Sequence, residues 1–179
     1  MNAVIFTFIL LFFSVVGDVF LSHTNFILPI SAVVIFYLVV SRNAFIVFPM
    51  VCLSGIMIDK LLLYPYALGT VFALFVAIIG VIWLINGEFS YGALPHALMV
   101  MILNNFFIMI CYILAIGRNI QVLSWSYSLD LLLNLIINSI MCLIAMPLLI
   151  KYGDIFANAL SIEPFSQARV NYIQKRKEL

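Results

Sequence analysis

The sequence predicts an all-α, polytopic membrane protein of six transmembrane helices, N-in and C-in. Three observations carry that expectation. Of 179 residues, 66% are hydrophobic and only 8% are charged. The few charges fall between six apolar runs or close to their ends, and the mean hydropathy is +1.27. A hydrocarbon core about 30 Å thick takes about 20 helical residues at a rise of about 1.5 Å each, so six spans fit only with short loops. No room is left for a separate soluble catalytic domain. The formal charge of +1 lacks the basic footprint of a nucleic-acid binder.

The runs read as spans at about 3 to 21, 25 to 40, 44 to 64, 68 to 85, 95 to 116 and 126 to 150. Turn-forming and polar residues separate them: Ser22-His23-Thr24, Ser41-Arg42-Asn43, Pro65, Asn86-Gly87-Glu88 onward to Pro95, and Gly117-Arg118-Asn119. No Lys or Arg precedes the first run and no small-residue cleavage site follows it before His23, so it reads as a retained span. The chain divides into a six-helix membrane domain, 1–150, and a basic cytoplasmic tail, 151–179. Comparing the two halves reveals no internal repeat.

Orientation comes from the basic residues. With both ends in the cytoplasm, Arg42, Lys151, Arg169, Lys175, Arg176 and Lys177 lie inside, and only Lys60 and Arg118 lie outside. A five-span chain would need one re-entrant run and would put the tail opposite the N-terminus.

Three arrangements are candidates for function. The third span ends in Ser54-Gly55-Ile56-Met57-Ile58-Asp59-Lys60, followed by Pro65 and Gly69. Asp59 precedes Pro65 by more than one and a half turns, which puts a carboxylate roughly 9 Å inside the span's end. It sits either in a wet outer vestibule or in a polar contact with another helix or a ligand. Lys60 points to a different side and is expected to snorkel. Gly55, one turn before Asp59, permits close helix approach, and Pro65 and Gly69 shape the outer turn.

The fourth span repeats small residues at Gly69, Ala73 and Ala77, with Gly80 near the same face. Such a stripe serves intramolecular packing or docks a partner's single membrane helix. In the sixth span, Asp130, Asn134 and Asn138 form a polar line that lipid would penalise, directed at the bundle interior, a ligand pocket or a partner helix. Asn104 and Asn105 in the fifth span are its candidate mates. Asp18, at the outer end of the first span, reads as an interfacial residue, and Pro147 is expected to kink or end the sixth helix. The tail mixes Ile155, Phe156 and Phe165 with basic residues and either lies on an anionic lipid surface or is a disordered basic segment that only enforces topology.

Catalysis, metal and cofactor binding are not expected. Val15-Val16-Gly17-Asp18 lacks the first glycine of an intramembrane aspartyl site, and Ile58 stands where the partner motif of that class has tyrosine. Ser54-Gly55 belongs to no G-x-S-G arrangement, and His23 and His96 fall on opposite sides of the membrane. Phosphate-loop and H-E-x-x-H patterns are absent. Cys52, Cys111 and Cys142 occupy separate runs, without metal or redox spacing.

Gly55-x-x-x-Asp59 with Pro65 and Gly69 resembles the G-x-x-x-D…P-x-G region of MreD, the rod-shape-determining inner-membrane family. The length, the span count and the closing Ala145-Met146-Pro147-Leu148-Leu149-Ile150-Lys151 are also similar to that family. Three residues separate Pro65 from Gly69 where the family usually has one. The resemblance implies a non-enzymatic scaffold of the bacterial elongation machinery, which maintains cell shape. It implies an MreC-like bitopic partner whose helix packs on the face carrying Gly69, Ala73 and Ala77, with an MreB-like filament and wall synthases further out. The competing expectation is the substrate-binding S component of an energy-coupling-factor vitamin transporter, where Asp59 and the Asp130, Asn134, Asn138 line would face a solute.

Overall fold

The computed structural model describes residues 2–22, 29–41, 44–62, 67–85, 93–118 and 125–162. Pro65, the connecting segments between these ranges and the tail from 163 onward lie outside them. Among the described residues the chain is all helical: α1 (Asn2–Ser22), α2 (Ile30–Ser41), α3 (Ala44–Leu61), α4 (Leu68–Ile85), α5 (Ala93–Arg118) and α6 (Trp125–Ala159).

The distribution of polarity is inside out. Large apolar side chains cover the exterior, among them Phe13, Phe20, Val71, Leu94, Ile102 and Ile113. The interior holds Asp18, His96, Asn104, Asn134 and Asn138. Water would not tolerate that arrangement, and hydrocarbon favours it. Four helices, α1, α4, α5 and α6, are long and apolar enough to cross a bilayer. The protein is membrane-embedded.

At the centre stands α2. Every residue from Ser31 to Ser41 is buried, as expected of a helix that is apolar on all sides. It packs on all five other helices. Of the span expected at 25 to 40, residues 25–28 lie outside the described residues; the helix α2 itself begins at Ile30, and its 12 residues reach about 18 Å. Its N-terminus consequently lies deep in the bundle, where water cannot satisfy the first N–H groups.

The sixth helix is longer than expected. Pro147 lies inside it and does not end it, so residues 151–159 are helix where the sequence reading began the tail. The lost hydrogen bond at proline is offset by packing on the far side. Gly153 lies against Tyr37, Ala157 is buried, and Phe156 meets Phe6 with ring centroids 5.8 Å apart. The helix closes in a Schellman turn, with Ile162 N–H donating to the Ala157 carbonyl at 2.8 Å and Ser161 N–H to the Asn158 carbonyl at 3.0 Å. Ser161 takes the left-handed conformation, φ 57°. Asn2 Nδ2 donates to the Leu160 carbonyl at 3.0 Å, so the start of α1 and the end of α6 meet on one side of the bundle.

Candidate functional site

Buried hydroxyls and buried carboxylates solve the same problem differently. Ser14 and Ser54 donate to carbonyls three residues earlier in their own helices, and Thr7 to one four residues earlier, so they need nothing from a neighbour. A carboxylate only accepts and must find donors elsewhere. Both described aspartates near the ends of α1 and α3 find them at the start of the following helix.

Asp59, on α3, accepts from the N–H of Gly69 at 2.6 Å and of Thr70 at 2.9 Å, and the Thr70 hydroxyl donates to the same carboxylate. These are orphan N–H groups in the first turn of α4, so Asp59 caps that helix from outside it, and its charge opposes the positive end of the helix dipole. The glycines follow from this contact. A Cβ at Gly55 would lie 2.6 Å from Thr70 Cα, and a Cβ at Gly69 would lie 2.7 Å from Asp59 Oδ1. Gly55, Asp59 and Gly69 therefore act as one clasp that closes α3 onto α4. Pro65 is outside the described residues. Lys60 is exposed.

Asp18 repeats the device between α1 and α2. Its Oδ1 accepts from Ile30 N–H at 2.6 Å, and both oxygens face Ser31 N–H at 3.3 and 3.2 Å. The expectation of an interfacial Asp18 is corrected: it is buried, because the helix start it serves is buried. The α1–α2 and α3–α4 pairs thus share one construction, with α1 packed beside α3 and α2 beside α4. Comparing halves of the sequence missed this likeness because its unit is a two-helix hairpin, and each half holds three helices.

The third hairpin is joined differently. Along α5 and α6, Asn138 Nδ2 donates to Asn105 Oδ1 at 2.7 Å, Asn105 Nδ2 to Ser139 Oγ at 3.1 Å, and Asn104 Nδ2 to Asn138 Oδ1 at 3.4 Å. Higher up, Asn134 Nδ2 donates to the Tyr112 hydroxyl at 2.8 Å. Asn134 and Asn138 are buried in this amide ladder. Asp130 is not part of it: its side chain is exposed, one helical turn nearer the start of α6 than the Asn134–Tyr112 bond. Only its carbonyl takes part, accepting from Asn134 at 2.9 Å.

Of the two readings of the small-residue stripe, the structure shows packing within the chain and not the docking face. Gly69, Ala73, Ala77 and Gly80 are buried on the face that α4 turns to α3 and α2; a Cβ at Gly80 would lie 3.1 Å from Val39. The stripe is closed by the chain's own helices and offers no face to an incoming helix. Among the described residues no three of His, Cys, Asp or Glu gather as a metal site. His96 is buried with its ring edge-on to Phe36 and Trp83, while His23 lies outside the described residues.

Sequence reasoning passed over Thr70 and Tyr112. The signal for the first was available: an acid near the end of one apolar run, with a hydroxyl residue near the start of the next, as in Asp18 with Ser31 and Asp59 with Thr70. Comparison with family models, curated proteins and solved structures finds no match to this chain.

Proposed function

We propose that the chain is an MreD-like scaffold of the bacterial cytoplasmic membrane, with six spans and both ends in the cytoplasm. Its role is to maintain cell shape by holding an MreC-like bitopic partner within the elongation machinery. It acts by assembly and makes no bond of its own. The MreB-like filament and wall synthases belong to the wider complex, and the basic tail faces the cytoplasmic filament and anionic lipid.

One observation carries this reading. The residues that bear the resemblance, Gly55, Asp59 and Gly69, form a single helix clasp in which Asp59 accepts three hydrogen bonds from the start of α4. A motif of that kind specifies an architecture. The same observation weighs against the vitamin-transporter reading, where Asp59 would offer its oxygens to a solute. Because the small-residue stripe is covered, the partner's helix packs on the lipid-facing exterior.

The test is copurification. Extracted in mild detergent with an MreC-like protein, the chain is expected to elute with it as one complex. Elution alone, combined with tight binding of a vitamin-sized solute, would support the transporter component instead.

A further inference from the structure

One face of α6 is left uncovered by the chain's own helices, since α6 packs mainly on α5 and otherwise on α2. Along that face Leu129, Leu133, Ile136, Ile140 and Leu143 are all exposed, and their spacing alternates between four and three residues. This is a heptad seam in which they fill the a and d positions, the pattern that lets a second helix interlock with the first. Between helices in lipid, such close side-chain packing supplies the attraction that burial supplies in water.

Two charges flank the seam. Asp130 and Lys151 are exposed, both fall at the e position, and they stand three heptads apart. At the helical rise that is about 31 Å, close to the thickness of the hydrocarbon core, so one charge marks each boundary of the span. Unlike Asp18 and Asp59, the Asp130 carboxylate has no hydrogen bond or ion pair among the described residues, and Lys151 lies 5.8 Å from the ring of its neighbour Tyr152. Charges at such flanking positions choose the partner and set the register of a helix pair. On α4 an exposed seam of the same spacing runs from Val71 to Ile85, but that helix carries no charged residue. A second copy of this chain fits the α6 seam poorly. Two copies inserted alike would bring Asp130 level with Asp130 and Lys151 level with Lys151, like charges at both boundaries.

We propose, on the scaffold reading, that this face of α6 docks the single membrane helix of the partner, and that the partner's helix carries an apolar seam with a basic residue at its outer end and an acidic residue at its inner end.

The experiment coexpresses the full chain with the MreC-like protein and places a photo-crosslinking residue at Ile136 on α6 or, for comparison, at Ile78 on α4. Cross-linking to the partner is expected from position 136 and not from position 78. Asp130→Lys is expected to weaken copurification about tenfold while leaving the melting temperature of the purified chain unchanged, because the Asp130 side chain supports nothing in the fold. Glutamate in place of the partner's outer basic residue is expected to restore the complex. Cross-links from position 78 alone, or from position 136 to a second copy of the chain alone, would overturn the docking face and leave the scaffold reading standing. So would copurification that Asp130→Lys does not alter, or a copurifying partner whose helix has no basic residue at its outer end. Failure of the wild-type chain to copurify at all would overturn both.

Discussion

Glycine stands at 55 and 69 because α3 and α4 touch nearly backbone to backbone there, and one methyl group is enough to part them. Gly55→Ala meets main-chain atoms of Thr70 that cannot rotate away, so it is expected to destabilise the protein by about 1–3 kcal/mol. Thermal unfolding in detergent reads this directly, with Lys60→Ala as a control that leaves stability unchanged. Asp18→Ala is expected to cost more than Asp59→Ala. Ser31 is buried beneath Asp18, and its N–H would be left without water or partner, whereas the surroundings of Asp59 are only partly buried. Equal losses for the two variants would mean that burial of the helix start is not what sets the cost. Sequence reading placed Asp59 and its glycines in one unit but left open what the carboxylate contacts, since a cap supplied across a turn leaves no periodic trace. Asp18 was legible as an acid near a span's end. Its burial was not, because that depends on how short α2 is.

At the scale of the helix, length and termination were the hardest features to anticipate. Pro147 is an ordinary stop signal, yet α6 runs on to Ala159. The packing of Gly153, Phe156 and Ala157 that offsets the proline involves residues distant in sequence, which local propensity does not see. Gly153→Ala is accordingly expected to be destabilising, since the new Cβ would lie 2.5 Å from the hydroxyl oxygen of the fully buried Tyr37. At the end of the same helix the opposite substitution should help. Ser161 holds a left-handed conformation that glycine adopts freely, and Ser161→Gly is expected to raise stability by about 1 kcal/mol. Circular dichroism melts of the two variants should move in opposite directions. In α4, small residues at four-residue spacing foretold close packing but not its object. Ala77→Leu is therefore expected to lower the stability of the purified chain in the absence of any partner, by about 1–3 kcal/mol. A fully stable variant that lost only its partner would return the stripe to the role of a docking face.

For the whole molecule, composition and charge placement were sufficient to foresee an all-helical, lipid-embedded chain, because hydrocarbon leaves a backbone few other options. The central position of α2 was not foreseeable in the same way. A run whose only polar atom between Ala32 and Val40 is the Tyr37 hydroxyl has no amphipathic face to reveal which side is covered, and here every side is. What unites the described helices is that the Asp18 and Asp59 carboxylates and the buried amides are directed at the chain's own helices: the two carboxylates cap the starts of α2 and α4, and an amide ladder joins α5 to α6. Closure extends to the start of α1 and the end of α6, where Asn2 and Leu160 are hydrogen-bonded. The proposed six-span topology puts the start of α1 and the end of α6 on one side of the membrane, and the bias of the basic residues makes the cytoplasm the expected side. Fusing compartment-sensitive reporters to each terminus measures this most directly. Cytoplasmic signal from both fusions is the expected result, and signals from opposite sides of the membrane would contradict it.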